Sequence, residues 1–541
     1  MYPKEFIDEL RANYDLSPKD FMKLKTRLCR KYKVSKIPTN IEIFLHSDDQ
    51  NALVTKPTRS LSGVCVVAVM SKPYPCPHGK CSICPGGPDS FFGDVPQSYT
   101  GKEPATRRAI RNEYDGYLQV MNRLEQYVVT GHVPEKIELI VMGGTFPSFP
   151  KAYRDAFIKD CLMAMNDFSS KFLGGLKRFK SFFELPGDLS DMDRERRVLD
   201  KLKKMKRKSS LEYEQRRNER SKVRCVSLVL ETRPDYAKKK HALDMLRLGC
   251  TKVEVGVQAV SDTVLEGIER GHTVQDSIDA TRVLKDLGFK VTYHMMIGLK
   301  GADDLDMFSR IFEDESFKPD MLKIYPCMVL KGTKLYDEWK KGHFKPITTK
   351  EAKVVLKSIK EMIPPYVRIN RIQRDIPTYM TEAGVDMTNL RQQVLEELHA
   401  EGKECNCIRC REIGRKGDSG KMHIKIYSYS ASGGNEFFIS AENKGLLGFC
   451  RLRFPSSSIT PEITKDSAVI RELHVYGTAL GIGKKGKSQH SGWGRRLLEK
   501  AEEIAIQNNR RKIVIISGIG VRPYYRKFGY RKQGPYMVKR R

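Results

Sequence analysis

Short apolar segments alternate with segments of helical periodicity between residues 64 and 326, and this alternation restricts the possible folds more than any other feature. The predicted strands are residues 64–70, 137–142, 226–230, 252–258, 290–298 and 321–325. They are rich in Val, Ile and Leu along their whole length, as strands buried on both faces are. The sequence therefore predicts a parallel α/β sheet curled toward a six-repeat, TIM-like barrel, with the reactive groups at the carboxyl ends of its strands.

Helices are predicted between these strands and after them. Residues 108–130 and 274–287 space their apolar side chains helically, and Gly288 ends the second helix. A charged helix follows at 390–400, and then a smaller module that mixes helices and strands. A chain of 541 residues is long enough for two to four domains, and we place one boundary near residue 420.

The chain carries a large excess of positive charge. It has 97 Lys and Arg residues against 66 Asp and Glu residues, a net charge of +31. Nucleic acid is the partner that best explains this excess, because each neutralised phosphate releases condensed counterions. An anionic membrane surface or an acidic protein is the alternative.

Two runs of basic residues are especially dense. Residues 19–36 include eight basic side chains and one acid, and residues 201–224 include eleven basic and three acidic ones. Either run alone is compatible with a merely solvated face, but together they favour a surface for a polyanion. The candidate RNA contacts are Lys23, Lys25, Arg27, Arg30, Lys31, Lys33, Lys36, Lys203, Lys204 and Lys206.

Cysteine usage and hydropathy indicate the compartment. The thirteen cysteines are an odd number, and the amino terminus lacks a signal-peptide pattern, so we interpret the cysteines as thiols and metal ligands. No apolar run approaches the ~18 residues of a membrane span. We therefore expect a cytoplasmic protein with no membrane partner.

Three cysteines lie close together just after the first predicted strand: Cys76, Cys81 and Cys84. Three thiolates can hold three irons of a four-iron cluster and leave the fourth iron open for S-adenosylmethionine. A zinc site is the alternative, although zinc normally demands a fourth ligand. The position after a barrel strand, where a reaction centre belongs, favours iron.

A second group of cysteines consists of Cys405, Cys407 and Cys410. Their spacing suits a small zinc site that clips two domains together, and a second redox cluster is the alternative. The fourth ligand is open between His399 and Cys327.

A third motif, at residues 489–496, contains Gly492 and Gly494 and opens an amphipathic helix. Glycines at such a turn allow backbone N–H groups to surround a pyrophosphate at the positive end of a helix. The motif lies between predicted strands at 472–475 and 513–517, and Tyr524 and Tyr525 follow. Aromatic core packing is the alternative role for this tyrosine pair.

Taken together, these motifs resemble the family of Elongator catalytic subunits, which join a radical S-adenosylmethionine domain to a GNAT acetyltransferase domain. Besides the cysteine loop, the resemblance rests on residues 84–90, 97–101, 143–146, 231–235, 256–258, 270–273, 294–296, 367–377, 471–477 and 534–540. It covers nearly the whole chain. Two departures concern the cysteine loop: four residues separate Cys76 from Cys81 where three are usual, and eukaryotic relatives carry a longer insertion there.

The resemblance implies a domain division and a set of site residues. The domains are a basic tRNA-binding segment at 1–60, a radical S-adenosylmethionine domain at 61–388, a zinc linker at 389–420 and a GNAT domain at 421–541. Cys76, Cys81 and Cys84 ligate a [4Fe-4S] cluster. The residues that bind S-adenosylmethionine are Gly143, Gly144, Thr145, Glu231, Arg233, Gln258 and His294. Those that bind acetyl-coenzyme A are Glu472, Leu473, His474, Val475, Gly492, Trp493, Gly494 and Arg495, with Lys136 reaching the coenzyme from the other domain. Tyr524 or Tyr525 protonates the departing thiolate.

The resemblance further implies an acyltransferase that modifies the wobble uridine of tRNA. A 5′-deoxyadenosyl radical removes hydrogen from the acetyl methyl group, the carbon radical adds to C5 of the uridine, and thioester hydrolysis leaves a carboxymethyl group. Partner subunits, a homo-oligomer and a stand-alone enzyme all remain open. The alternatives are a protein lysine N-acetyltransferase that uses Glu472 or His474 as base, and a tRNA-binding scaffold without chemistry.

Overall fold

The computed structural model describes residues 2–46, 63–187, 191–416, 420–476 and 492–541. Residues 2–46 form helices α1 (Lys4–Arg11), α2 (Pro18–Lys31) and α3 (Asn40–His46), which pack around a small apolar core of their own. Helix α2 begins as predicted, because the Ser17 side chain accepts a hydrogen bond from the backbone amide of Asp20. The end of the predicted segment 1–60 lies outside the described residues, so this boundary stays a prediction.

Residues 63–388 contain the alternating strands and helices. The strands are β1 (Cys65–Met70), β2 (Gly87–Ser90), β3 (Gly93–Val95), β4 (Lys136–Met142), β5 (Arg224–Thr232), β6 (Lys252–Gln258), β7 (Lys290–Ile297), β8 (Met321–Pro326), β9 (Val329–Leu330), β10 (Arg368–Ile372) and β11 (Thr381–Ala383). The helices are α4 (Pro104–Arg111), α5 (Gly116–Val129), α6 (Lys151–Lys171), α7 (Leu176–Phe182), α8 (Met192–Met205), α9 (Leu211–Asn218), α10 (Lys239–Leu248), α11 (Asp262–Gly267), α12 (Val274–Asp286), α13 (Asp304–Glu313), α14 (Lys334–Lys340) and α15 (Thr349–Met362).

Seven of these strands form one curled, parallel half-barrel sheet in the order β1-β4-β5-β6-β7-β8-β10. All six predicted strands belong to it, which confirms the α/β class. The seventh, β10, was not predicted as a strand. Its sequence mixes Ile with Arg and Asn, and these polar side chains are only partly buried because the strand lies at the edge of the sheet.

Of the two helices predicted in this region, one is confirmed and one is divided. Helix α12 has a capping box formed by Thr273 and Asp276 and ends before Gly288, as predicted. The predicted helix at 108–130 is instead α4 and α5. Glu113 and Tyr114 adopt positive φ angles of 53° and 54°, which interrupt the helix. The Asp115 side chain then caps α5 by accepting from the Leu118 amide.

The remaining chain contains a helical connection and a second sheet. The helices are α16 (Leu390–Ala400), which is the predicted one, α17 (Ile408–Arg411), α18 (Ile413–Lys416), α19 (Trp493–Gln507) and α20 (Arg522–Arg526). The strands are β12 (His423–Ala431), β13 (Gly434–Glu442), β14 (Leu446–Phe454), β15 (Ser467–Val475), β16 (Lys512–Ile515), β17 (Arg531–Gln533) and β18 (Tyr536–Arg540). The sheet order is β12-β13-β14-β15-β16-β18-β17, and only β15 and β16 pair in parallel. None of the helices in the described ranges has the length and apolar composition that crossing a bilayer requires.

Buried ion pairs join the half-barrel to the second sheet. The Arg471 guanidinium of β15 donates to both carboxylate oxygens of Asp320, at 2.7 and 2.6 Å, and to Glu436 at 2.8 Å. Arg453 of β14 donates to Asp286 at 2.6 Å. All five side chains are buried. These ion pairs hold the two sheets together. Separating the sheets, or removing one partner, would leave a buried charge unpaired, and this costs several kcal/mol of stability, roughly 3–5.

Replacing Arg471 with Met should lower the free energy of unfolding by about 3–5 kcal/mol, because Asp320 and Glu436 would lose their main partner inside the protein. Denaturant unfolding of the full chain measures this change. Arg282→Met is the matched control, since Arg282 is exposed and only weakly paired, and it should change stability by less than about 0.5 kcal/mol. Equal stabilities of the two variants would contradict the assignment.

The same variant should change the acid dependence of stability. Burial alone would raise the pKa of Asp320 and Glu436, but the Arg471 guanidinium and the neighbouring Lys and Arg side chains together outweigh burial and hold each pKa below the ordinary values of 3.8 and 4.5. The unfolded chain therefore takes up more protons as the pH falls. The stabilisation is complete above about pH 4.5 and decreases below it, and this decrease should be smaller in Arg471→Met.

Candidate active site

A cavity opens at the carboxyl ends of the parallel strands, where the sequence predicts the reactive groups. Its lining includes the three loop cysteines after β1, Gly144 and Thr145 after β4, Glu231 and Arg233 at the end of β5, Gln258 at the end of β6 and His294 in β7. Residues far apart in the sequence are thus brought together because parallel strands present their carboxyl ends at one edge.

The three loop cysteines have different partners. Cys76 Sγ lies 3.7 Å from Thr145 Oγ1, and Cys84 Sγ lies 3.8 Å from Ser98 Oγ. Cys81 Sγ lies 3.1 Å from His78 Nε2 and accepts a hydrogen bond of 3.5 Å from Arg270 Nη1. Burial raises the pKa of Cys76 and of Cys84, so these thiols need a metal or a positive charge to ionise.

Gly143 and Gly144 bring the backbone close to the cysteine loop. Their φ angles are 121° and 103°, a region that side-chain-bearing residues rarely adopt. A Cβ atom on Gly144 would lie 2.9 Å from Gln97 Cβ, and one on Gly143 would collide with Ser71. Gly144 lines the cavity, whereas Gly143 supports it from behind, against the end of β1.

A charged cluster forms the floor of the cavity. Glu254 binds the Lys323 ammonium and lies 3.1 Å from His294 Nε2. Glu231 lies 3.7 Å from Lys323 Nζ and accepts a hydrogen bond of 3.2 Å from the Tyr99 hydroxyl. Burial alone would raise the pKa of Glu254, but Lys323 and the other neighbouring charges and hydrogen bonds together outweigh burial and hold this pKa well below its ordinary value. Ligand atoms of Glu231, Glu254 and His294 lie within 4.8 Å of one another, and Lys323 supplies the cation that this group needs.

Arg233 supports the site and does not point freely into the cavity. It donates to both oxygens of Asp235 and to the backbone oxygens of Arg270 and Gly271, at 2.6 to 3.1 Å. It thereby holds the turn from which Arg270 reaches Cys81. Sequence reasoning did not select Arg270, Glu254, Lys323 or Tyr99. A charged side chain inside an apolar strand was the available signal for Glu254 and Lys323.

The cavity fits an iron–sulfur cluster and a polar ligand beside it. Three polar atoms around the loop, His78 Nδ1, Gln97 Oε1 and Arg270 Nε, are buried without a hydrogen-bond partner among the described residues, which indicates that a ligand completes the site.

The cysteines of the connecting segment do converge. The Sγ atoms of Cys405, Cys407 and Cys410 lie within 4.8 Å of one another. Hydrogen bonding with Cys405 and Cys410 holds the pKa of Cys407 well below its ordinary value. Neither His399 nor Cys327 belongs to this group in the described chain. The nearby cation is the buried Lys360, whose Nζ lies 3.7 Å from Cys405 Sγ.

A second candidate site lies in the carboxy-terminal sheet. Strands β15 and β16 pair from Ser467 with Lys512 to Ile470 with Ile515 and no further, so β15 continues beside an opening. Helix α19 begins at this opening, after Gly492 with a φ of 83°. A Cβ atom on Gly494 would lie 2.8 Å from the Tyr524 hydroxyl and 3.8 Å from Val475. The residues 489–491 of the predicted turn, and Gly477, lie outside the described residues.

The two tyrosines of α20 have different environments. Tyr524 is partly exposed, and its hydroxyl lies against the first turn of α19. Tyr525 is 5% exposed and packs edge-on against Tyr530, in the core. Burial raises the pKa of both phenols, so both are protonated at neutral pH. Only Tyr524 is placed to reach a ligand at the opening.

The other residues predicted to bind the coenzyme have different partners. Glu472 accepts a hydrogen bond of 2.9 Å from Arg451, and His474 packs against Tyr476 at 4.4 Å. Leu473 and Trp493 are partly buried, and Arg495 is exposed and paired with Glu499. Lys136 begins β4 in the half-barrel, and burial lowers its pKa.

Comparison with known proteins identifies the family. The chain is 43% identical to the tRNA uridine(34) acetyltransferase of Methanocaldococcus jannaschii, over 99% of this chain and 96% of that protein. It is 38% identical to the human Elongator complex protein 3, over 99% of this chain and 95% of that protein. The chain belongs to the Elongator complex protein 3 family.

Two further matches agree with this family. The Radical SAM superfamily matches residues 186–312, and the Radical_SAM C-terminal domain matches residues 319–400. The structure of Methanocaldococcus infernus Elp3 with an N-terminal deletion (1–46) superposes with a TM-score of 0.73 at 39% identity, covering 89% of this chain and all of that one. As an Elongator complex protein 3 relative, the chain is a radical S-adenosylmethionine enzyme, and its half-barrel is the radical domain.

The basic residues predicted to contact RNA fall into two groups in this Elongator complex protein 3 relative. Those with acidic or backbone partners within the chain are Lys23, Lys25, Lys31, Lys36, Lys203 and Lys206. Those that are exposed without an ion pair among the described residues are Arg27, Arg30, Lys33 and Lys204. Lys25 is 4% exposed and donates to the backbone oxygen of Pro38, so its role is structural in this conformation.

Proposed function

We propose that this protein installs a carboxymethyl group at C5 of the wobble uridine of tRNA, using S-adenosylmethionine and acetyl-coenzyme A. The observation that carries the proposal is the meeting of the three loop cysteines, Thr145 and Glu231 in one cavity, in a chain that matches a tRNA uridine(34) acetyltransferase over 99% of its length. The cytoplasm is the compartment that this substrate implies.

In the radical domain, Cys76, Cys81 and Cys84 would hold a [4Fe-4S] cluster. When bound, such a cluster supplies the electron that cleaves S-adenosylmethionine to its radical. Arg270 donates a hydrogen bond to Cys81 Sγ, and both side chains line the cavity. The backbone at Gly144 leaves room for the methionine end of the substrate, and Gln258 and His294 offer polar contacts at neighbouring strand ends. Glu231, fixed by Tyr99 and Lys323, would accept a hydrogen bond from a hydroxyl or ammonium group.

The carboxy-terminal sheet would be a GNAT acetyltransferase domain, at about residues 421–541, and would hold acetyl-coenzyme A. The divergence of β15 from β16 supports this, since an extended thioester could lie between them. The N–H groups at the start of α19, from Gly492 to Arg495, would bind the pyrophosphate. Tyr524 would protonate the coenzyme thiolate, and Lys136 would contact the coenzyme from the radical domain.

A zinc ion would be held by Cys405, Cys407 and Cys410 in a linker at 389–420. The convergence of three buried or half-buried thiols and the lowered pKa of Cys407 support it, because zinc binds thiolates. We do not favour a protein lysine acetyltransferase. Of the two bases that it could use, Glu472 is already paired with Arg451, and the His474 ring packs against Tyr476.

One anaerobic experiment tests the whole proposal. The reconstituted enzyme, with a reductant, is incubated with tRNA, S-adenosylmethionine and acetyl-coenzyme A, and the digested nucleosides are identified by mass. We expect carboxymethyluridine only when both cosubstrates are present. Elemental analysis of the same preparation should find zinc as well as iron.

Two results would contradict the proposal. Acetyl-lysine on an added protein, with no new nucleoside, would mean that only the carboxy-terminal domain is active. A product that forms without acetyl-coenzyme A would mean that the added carbon has another source.

A further inference from the structure

A wide groove runs between the two domains, away from the cluster cavity. Its walls are α6 and α9 with the residues after α9 on one side, and α20 and β17 on the other, and its volume is about 900 Å³. Five basic side chains line it: Arg216, Arg217, Arg220, Arg526 and Lys532. We call it the interface groove. It shares no lining residue with the cavity that contains the loop cysteines.

The charges of the interface groove are only partly neutralised. Arg217 pairs with Asp167 and Glu214, and Arg526 pairs with Glu219. Arg216, Arg220 and Lys532 are exposed and have no carboxylate partner in the described parts of the chain. Among the described residues that line the groove, Glu219 is the only acidic one. The groove therefore has a net positive charge that intramolecular contacts do not satisfy.

In the first half of the basic run 201–224, two lysines have acidic partners within the chain. Lys203 donates to Glu113 at 2.6 Å, and Lys206 donates to Asp115 at 2.5 Å. Both lysines therefore form ion pairs with acidic residues of the radical domain itself. Arg216 and Arg220, in the second half of the run, are exposed and line the groove, a placement that the sequence run alone does not reveal.

The groove is preformed, because contacts between the domains fix both walls. Glu219, at the end of α9, accepts hydrogen bonds from Arg522 at 3.0 Å and from Arg526 at 2.6 Å. Burial lowers the pKa of Lys532, and the neighbouring Arg522 lowers it further. A rigid site binds without the entropic cost of ordering its walls.

We propose that the interface groove binds the phosphodiester backbone of tRNA outside the nucleotide that is modified. This inference rests on the proposed function. Guanidinium groups form paired hydrogen bonds with phosphate, and both domains contribute them here. Tyr213, 48% exposed at the rim, adds a face on which a base can stack. The volume exceeds what a single phosphate needs. The pyrophosphate of the coenzyme is an unsuitable occupant, since none of Gly492 to Arg495 lines the groove.

The test compares two double variants of the full-length holoenzyme. Arg216→Glu with Arg220→Glu changes the groove, and Lys345→Glu with Lys350→Glu makes the same change of charge at exposed positions outside it. Binding of labelled tRNA is measured over a salt series, and binding of coenzyme A is measured on the same samples. We expect the groove variant to bind tRNA about 10- to 100-fold more weakly, with a salt slope smaller by about 0.7–0.9 for each lost phosphate contact.

The outcomes separate this inference from the proposed function. If the unaltered enzyme binds tRNA with a steep salt slope and the two double variants bind equally well, the groove inference is wrong and the function stands. If the unaltered enzyme does not bind tRNA, the proposed function fails first. Loss of coenzyme A binding in the groove variant would assign the groove to the coenzyme instead. Arg216→Lys with Arg220→Lys keeps both positive charges and should retain most of the tRNA binding. If any substitution at these positions caused misfolding, this variant would lose binding as well.

Discussion

Cys81→Ala should abolish both the cleavage of S-adenosylmethionine and the formation of modified nucleoside, while tRNA and coenzyme A still bind. Cys81 is one of three thiols that face the cavity, and it is the one that Arg270 and His78 contact. Two thiols cannot hold a four-iron cluster with a single open iron. Iron content, 5′-deoxyadenosine and nucleoside product are each measured, and all three should fall to the background level.

Cys29→Ala is the matched control for this loss. Cys29 is also buried, but it lies in the amino-terminal helical unit, far from the cavity in the sequence and outside its lining. It should retain iron and activity. Retention of iron and of product by Cys81→Ala would show that another residue replaces this ligand, and our assignment of the loop would then be wrong.

The strands of the radical domain were predictable because burial on both faces leaves a continuous apolar pattern in the sequence. The edge strand β10 does not have that pattern, since its Arg and Asn side chains are only partly buried. The break between α4 and α5 was missed although Asp115 and Gly116 offered a cap and turn signal. Its geometry depends on positive φ angles at Glu113 and Tyr114, residue types that do not by themselves indicate such a conformation.

The candidate site shows the same limit. Motifs in the sequence indicated Thr145, Glu231 and His294, and the structure brings them to one cavity. The partners that fix their charge were not indicated, because those contacts join distant segments. Arg270 reaches Cys81 across 189 positions, and only the folded sheet determines that distance. A spacing rule identifies ligands that are close in sequence, but it does not identify the residues that neutralise them.

Tyr524→Phe should slow thioester cleavage by about 10²- to 10⁴-fold, which is the usual contribution of a general acid. The Tyr524 hydroxyl lies beside the first turn of α19, at the opening between β15 and β16. Burial raises its pKa, so the phenol keeps its proton at neutral pH and can give it to the coenzyme thiolate. Release of free coenzyme A in the complete reaction with tRNA measures this step, and binding of the coenzyme should change little.

Tyr525→Phe is the control that the chain itself provides. Tyr525 is adjacent in sequence, and its ring packs in the core against Tyr530, so removing its hydroxyl preserves the packing and leaves the opening unchanged. Its rate of thioester cleavage should remain within a few-fold of the unaltered enzyme. If Tyr525→Phe is the slower variant, the tyrosine that acts at the thioester is the buried one, and the opening must rearrange when the coenzyme binds. If both variants are equally fast, the thiolate leaves without a proton from either phenol.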